Sequence, residues 1–411
     1  MSQPRMQNNQ AMGVALIILL ALLTALDAMA IDMYLPGMPL IAADFGVSDG
    51  RIQQTLSIFL AGLAIGQGLY GPLLDRFGRR LPLLAGVGIF IAGSVIAALA
   101  PSVEWLMAAR FMQALGAAAG LVTPRAIVAD LCSTTESARI FSLLMQVMMI
   151  APILAPILGG YLLGHGGWRF IFWTLASLGL AGMLWGLKAL PDSLPTTQRE
   201  PLRLGTILRA YAASARRRTF MAYTLAGGFI LSSLFTYISA SAFVFTQHFG
   251  LSAVQFSYLF AGNSVALVFG GLISNALLKG GWSPRRIMLY GITLHTVAGI
   301  GLLVLAQANQ ATLLLYGSVL AVAIGALGLV FGNLTALTME DAGRQVGVGS
   351  ALMGVMHYLM SAAVGYAASL AAPGLAPLPT TIAVCGALAL ILCLSVRAVP
   401  RAHSDTEAAA E

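Results

Sequence analysis

Gly71-Pro-Leu-Leu-Asp-Arg-Phe-Gly-Arg-Arg80 sets four charges and two glycines between two long apolar runs. A chain that crosses a bilayer must turn around in such a stretch. Gly71 and Gly78 suit close packing and a tight turn, while Arg76, Arg79 and Arg80 belong at anionic headgroups. Asp75 is the unusual member. A carboxylate ending a spanning helix, four residues before Arg79, can pair along the chain or meet the positive N-terminus of another helix.

Outward from this turn the composition sets the class. The 411 residues are 58% hydrophobic and 9% charged, with 45 glycines and a mean hydropathy of +0.86, which excludes an ordinary soluble domain. Apolar runs of about 20 residues, the length a bilayer core demands, recur along the whole chain. Twelve spans are predicted: 12–36, 52–74, 81–101, 104–128, 138–163, 168–189, 220–246, 254–278, 286–307, 311–335, 346–371 and 379–397. The expected fold is an all-α membrane protein of two pseudo-symmetric six-helix bundles, 12–189 and 220–397. A linker, 190–219, joins them, with short polar ends at 1–11 and 398–411. Cys132, Cys385 and Cys393 have no ligand-like spacing, so neither a disulfide frame nor a metal site is expected.

The net charge of +7 does not indicate nucleic acid, because of where the charges fall. With both termini inside, eighteen of the 22 Lys and Arg residues lie in or beside cytoplasmic segments, including Arg5, the seven from Lys188 to Arg218, Arg344, Arg397 and Arg401. Arg51 and Arg169 fall outside, and Arg110 and Arg125 lie within a span. This bias orients the chain and makes lipid headgroups the partner of the basic surplus. The first apolar run is too long for the core of a cleaved signal peptide.

The halves echo each other. Phe45-Gly46-Val47-Ser48 and Phe249-Gly250-Leu251-Ser252 open spans 204 residues apart, and Arg79-Arg80 matches Arg285-Arg286 at a similar offset. A duplicated six-helix unit places a substrate site near mid-bilayer between its copies. In the second copy Lys279 stands where Asp75 would fall, and Trp282-Ser283-Pro284 is expected to replace the glycine turn.

Charges inside spans mark function. Asp32 lies four residues from Pro36, about 6 Å along the helix, and Arg110 six from Glu104, about 9 Å, so an ion pair across the outer cavity is expected. Asp27 is about 140° around the helix from Asp32, so the two cannot both point squarely into one cavity. Either one faces a neighbouring helix or they serve separate steps. Tyr34, Gln113, Gln146, Met149, Tyr237, Asn263, Asn333 and His357 are candidates for the cavity wall, each with helix–helix hydrogen bonding as the competing role. His357 stands out because it lies mid-span and histidine titrates near neutrality; His295 is the weaker histidine.

Four motifs together resemble the drug:proton antiporters of the major facilitator superfamily, and most closely the Bcr/CflA branch associated with bicyclomycin and chloramphenicol-type resistance. They are Ile31-Asp32-Met33-Tyr34-Leu35-Pro36, Gly71 to Arg80, Arg110-Phe-Met-Gln113-Ala-Leu-Gly116, and Ala151-Pro152-Ile-Leu-Ala155-Pro156-Ile-Leu-Gly159-Gly160. The resemblance covers nearly all of residues 12–397. It implies Arg110 in proton coupling, where the intramembrane carboxylates Asp32 and Asp27 are the expected proton carriers although Asp27 stands outside the branch signature, and it implies Gly71, Asp75, Arg79 and Asp130 with Pro152, Pro156, Gly159 and Gly160 in conformational switching. It implies efflux of small amphipathic compounds by a monomer in a bacterial inner membrane, powered by a proton gradient with no cofactor. Ala129, where a basic residue is frequent, and Ser239-Ala240-Ser241-Ala242-Phe243, which lacks a proline, depart from the pattern. The competing expectations are a proton-coupled transporter of a physiological metabolite such as a nucleoside or amino acid, and a non-transporting membrane protein. The second has no nucleophile–base set to support it.

Overall fold

Serine and threonine side chains open many of the helices. Ser102, Ser133, Ser252, Ser283 and Thr312 each accept a backbone N–H three residues on, satisfying donors that a helix start leaves free. The computed structural model describes residues 13–199, 204–341 and 346–396. The expected terminal segments 1–11 and 398–411, with Arg5, Arg344, Arg397 and Arg401, lie outside the described residues.

In the first half, α1 (Val14–Asp32) leads through a 3-10 turn at Leu35–Gly37 into α2 (Met38–Phe45). Then come α3 (Asp49–Phe77), α4 (Arg80–Ala98), α5 (Val103–Leu131) and α6 (Thr134–Ala189). Within the linker lies α7 (Leu204–Ala215). The second half contains α8 (Arg218–Phe243), ending in a π-turn at Val244–His248, then α9 (Ala253–Lys279), α10 (Pro284–Gln307), α11 (Leu313–Glu340), α12 (Val346–Ser369) and α13 (Pro377–Ser395). Eleven continuous helical stretches among the described residues are long and apolar enough to cross a membrane. The stretch through α6 suffices for two, divided at Gly167, whose φ of 69° breaks the helical path.

Two expectations change. The first span continues past Pro36 to Phe45, because Leu35–Gly37 tightens into a 3-10 turn and α2 resumes with Pro39 near its start; a proline lacking an N–H fits a helix start. Depth counted inward from Pro36 was therefore counted from the wrong place. The glycine turn persists in the second half, where Gly281 has the φ of 84° that Gly78 has in the first.

The repeat is physical as well as textual. Gly46 (φ 62°) and Gly250 (φ 69°) turn the chain at equivalent positions before Ser48 and Ser252. Gly66 of α3 packs against Ala118 of α5, and Gly270, again 204 residues later, packs against the Gly325 backbone of α11. Small residues let membrane helices approach where apolar lipid offers no hydrophobic gain for association.

The halves meet along α3 with α12 and α6 with α9. At the end remote from the 71–80 turn the seam is tight: the Gln247 amide donates to Asp49 Oδ1 at 3.0 Å, and Gly50 abuts the Ser369 carbonyl. We call this the far end and the other the relay end.

Candidate functional site

Thr24 Oγ1 of α1 lies 3.2 Å from the Gly120 carbonyl of α5 and 2.8 Å from the Leu20 carbonyl of its own helix, with one proton for the two, and Gly120 lies against the Leu23 backbone. This contact sets the two helices side by side and brings the intramembrane charges together. Arg110 is fully buried. Its Nη1 donates to the Ala30 carbonyl at 3.0 Å and to Gln113 Oε1 at 2.5 Å. The Gln113 amide in turn donates to Ser94 Oγ at 2.8 Å, and Ser94 donates to the Phe90 carbonyl at 2.8 Å.

The ion pair expected between Arg110 and Asp32 does not form: among the described residues no carboxylate pairs with Arg110. Aromatic faces surround it instead, with the guanidinium carbon 4.2 Å from the Phe59 ring centre, 4.8 Å from Tyr34 and 5.8 Å from Phe172. Their quadrupoles partly replace a counterion. Among the described residues Arg110 Nε and Nη2 are buried without a partner, and so is Asp27 Oδ1. Asp27 and Asp32 are both buried, each without a hydrogen bond among the described residues. Two buried carboxylates and a buried guanidinium, none paired with another, make a costly arrangement, the kind a membrane protein keeps for function.

The cavity candidates separate. Tyr34 is buried against Thr55, hydroxyl to hydroxyl at 2.9 Å. Gln113 holds Arg110. Asn263 donates to the Tyr237 hydroxyl at 3.0 Å, and Tyr237 stacks on Phe260 with ring centres 5.3 Å apart. Asn333 donates to Ser274 of α9 and to the Leu329 carbonyl, both at 2.8 Å. His357 Nε2 lies 3.0 Å from the Thr224 carbonyl, and His295 is fixed between Ser233 and the Ala323 carbonyl. These groups bond helix to helix or along their own helix. Gln146 and Met149 are exposed.

At the relay end Arg79 joins two carboxylates. Its Nε reaches Asp130 Oδ2 at 2.8 Å and its Nη1 reaches Asp75 Oδ1 at 2.9 Å. Burial works against the guanidinium's charge, but the hydrogen bonds and charges of Asp130 and Asp75 outweigh it and hold Arg79 above its ordinary value. Asp75 stays largely exposed, with 61% of its side chain accessible, and so has a face free for a further contact. Gly71 has no part in the tight turn or the close packing expected of it. It lies inside α3, and a side chain there would meet open space. Gly78 supplies the turn with φ 84°. Gly159 packs on the Met33 backbone of the first span and Gly160 on Ser257 of α9, while Pro152 and Pro156 leave α6 unbroken.

Sequence reasoning missed Ser94, Thr55 and, at the relay, Asp192, Ser193 and Arg199. A signal was present for Asp192 alone: Gly78-Arg79-Arg80 gives the start of α4 no side-chain cap of its own, which leaves a place for an acceptor from elsewhere.

Residues 20–366 match the profile of the Major Facilitator Superfamily. The chain is 36% identical over 353 residues to "Uncharacterized MFS-type transporter YdgK" of Bacillus subtilis (strain 168), covering 85% of this chain and 87% of that protein. It is 28% identical to a "Bicyclomycin resistance protein homolog" of Haemophilus influenzae, covering 93% and 96%. It is 30% identical to "Multidrug resistance protein MdtL" of Escherichia coli O127:H6, covering 79% and 81%. Among solved structures, the xylose transporter XylE of E. coli in a partially occluded inward-open conformation superposes with a TM-score of 0.72 at 12% identity, covering 92% and 96%. A bacterial homologue of the human lysosomal transporter Spinster gives 0.68 at 17%, covering 94% and 98%. A twelve-span duplicated bundle, a buried arginine in the fourth span and a match across most of the chain agree: this multi-pass membrane protein belongs to the Major Facilitator Superfamily of transporters.

Proposed function

We propose that the chain is a proton-coupled exporter of small amphipathic compounds, of the bicyclomycin or chloramphenicol type, in a bacterial cytoplasmic membrane with both termini inside. The observation that carries this reading is Asp27, buried in the first span with an Oδ1 that has no partner among the described residues, on the same helix as the equally buried Asp32 and near an Arg110 that pairs with no carboxylate among them. The names of the two resistance relatives support the substrate class.

Residues 12–189 and 220–397 rock about the seam, with 190–219 as their link. A carboxylate free of structural bonds can take up a proton and release it without dismantling the fold. Protonation of Asp27 or Asp32 from outside weakens substrate binding and favours release outward, and deprotonation toward the cytoplasm resets the site. The ligand moves the equilibrium only through its differential affinity for the two states. One charge moved through 100 mV supplies about 2.3 kcal/mol, enough for accumulation on the order of 50-fold. The chain works as a monomer, and the gradient is its only energy source.

The test is proton release or uptake by purified protein on addition of a compound panel, with wild type compared to Asp27→Asn and Asp32→Asn. A drug-induced proton signal abolished by one substitution supports the reading and identifies the carboxylate. Binding of a nucleoside or amino acid without any drug-linked proton signal would replace it with metabolite transport.

A further inference from the structure

The stretch just after the sixth span folds back onto the charge relay. The Arg79 N–H, at the start of α4, donates to Asp192 Oδ1 at 3.1 Å. Asp192 Oδ2 also takes Arg199 Nη2 at 2.6 Å. Ser193 Oγ donates to Asp130 Oδ2 at 2.7 Å, the same oxygen that receives Arg79 Nε. A side chain at Gly78 would fall 2.5 Å from Asp192 Oδ1 and 2.7 Å from Arg199 Nη2, so Gly78 gives the turn and also leaves room for Asp192.

Each contact corrects a local deficit. The start of α4 has no cap of its own, although its positive end attracts an acceptor. The equivalent start of α10 is capped by Ser283. Asp130 stands in the last turn of α5, where a carboxylate opposes the helix dipole, and Ser193 adds a donor there. Beyond Arg199 the chain needs only five peptide links to reach Leu204, a full extension of about 17 Å. From there α7 packs on α12 and α8 of the second half. The link is therefore anchored to the relay on one side and to the second half on the other.

We propose that Asp192 and Ser193 are positioning residues of the conformational switch, clamping Arg79 and Asp130 so that the linker limits how far the halves part at the relay end. This rests on the reading that Asp75, Arg79 and Asp130 act as that switch, favouring the state in which the relay end is shut. Asp192 acts as a cap supplied in trans, and Ser193 as a second donor to Asp130.

The experiment uses the full chain in nanodiscs with its three cysteines replaced by alanine and spin labels at Arg139→Cys and Lys279→Cys, exposed relay-end positions of the two halves. Distance distributions are compared for the parent, Asp192→Ala, Ser193→Ala, Arg79→Ala, Asp130→Ala and the double variant Ser193→Ala/Asp130→Ala. Losing a cap or a single hydrogen bond should raise the long-distance population roughly three- to tenfold. Arg79→Ala should move it the same way while leaving the backbone N–H that Asp192 accepts, and the double variant should go no further than Asp130→Ala alone, which already deprives Ser193 of the carboxylate it bonds. Asp192→Asn, whose amide oxygen can still accept the Arg79 N–H, and Ser193→Thr should keep the parent distribution. A shift with Arg79→Ala but none with Asp192→Ala or Ser193→Ala overturns the clamp and leaves the switch standing. No shift with Arg79→Ala sinks the switch and the clamp together. Full additivity in the double variant also refutes the proposal, since the linker would then act without the relay. Should Asp192→Ala fail to fold, Ser193→Ala against Ser193→Thr decides the question by itself.

Discussion

Replacing Gly50 by alanine should reopen the far end without unfolding the protein. Gly50 belongs to α3, and the nearest atom to a Cβ placed there is the backbone carbonyl oxygen of Ser369, across the seam in α12, with its carbon at 3.2 Å. A backbone carbonyl cannot turn aside as a side chain can, so the two helix ends must separate. Overpacking of this kind costs about 1–3 kcal/mol. That cost applies only while the seam is shut, whereas the gain in helix propensity, up to about 1 kcal/mol, is common to both states and cancels. The ratio of far-end-open to far-end-shut molecules should therefore rise roughly 5- to 150-fold. Spin labels at Leu99→Cys and Gln307→Cys, exposed residues at the far end of each half, report it as a longer distance. Gly62→Ala is the control. Its Cβ would meet the Phe111 carbonyl at 2.7 Å and Ala114 at 2.9 Å, within one half, so it should lower stability in every state without lengthening the distance. A well-folded Gly50→Ala protein with an unchanged far-end distribution would refute the idea that this backbone contact is rigid and broken by rocking.

Three further outcomes are expected. Asn333→Leu removes the α11–α9 hydrogen bond to Ser274 and should cost about 0.6–1.7 kcal/mol, read as a lower melting temperature in detergent. Gly167→Ala forces a side chain onto φ 69°, ψ −176°, a region essentially reserved for glycine, and should cost about 1–3 kcal/mol, with an unchanged melting temperature counting against the break as built. Ser94→Ala frees the Gln113 amide that Ser94 now orients, so Gln113 Oε1 no longer faces Arg110 steadily. Any drug-linked proton signal should fall about two- to tenfold, and Ser94→Thr should restore it.

The class and the twelve crossings were legible because membrane burial writes itself into composition: an apolar run of spanning length has few other uses. The duplicated starts were legible for a similar reason, since a left-handed turn selects glycine and a helix start selects serine, leaving Gly46 and Ser48 matched by Gly250 and Ser252. Partner choice was not legible. Asp32 and Arg110 are complementary in charge and were placed at similar depth, but the helical rise says nothing of which way a long side chain turns. Here Arg110 turns to a carbonyl, an amide and three rings. Gly71 misled because a glycine beside a turn is indistinguishable in sequence from one inside a helix. Asp192 was hidden by distance along the chain: it lies 113 residues from the N–H it accepts, and only the missing cap at Arg79 hinted at it.

The two prolines of the fifth span show how a covalent property becomes a mechanical one. Pro156 has no N–H, so the carbonyl of Pro152, four residues earlier, has no helical donor. Ser264 of α9, in the other half, lies 3.3 Å from that carbonyl. The same hydroxyl lies 3.0 Å from the Phe260 carbonyl of its own helix. A hydroxyl has one proton to donate, so Ser264 can give it to Pro152 while the halves touch and to Phe260 when they part. Breaking this contact leaves no donor stranded on α9, because serine routinely bonds back along its own helix, and it costs little on the α6 side only where the parting seam admits water to the Pro152 carbonyl. Gly159 and Gly160 meanwhile let the same span lie close against Met33 of the first helix and Ser257 of α9. The span is thus packed tightly on both sides, yet its polar bond across the seam is one that can be made and unmade cheaply. A moving seam needs that combination, and a merely rigid bundle would not.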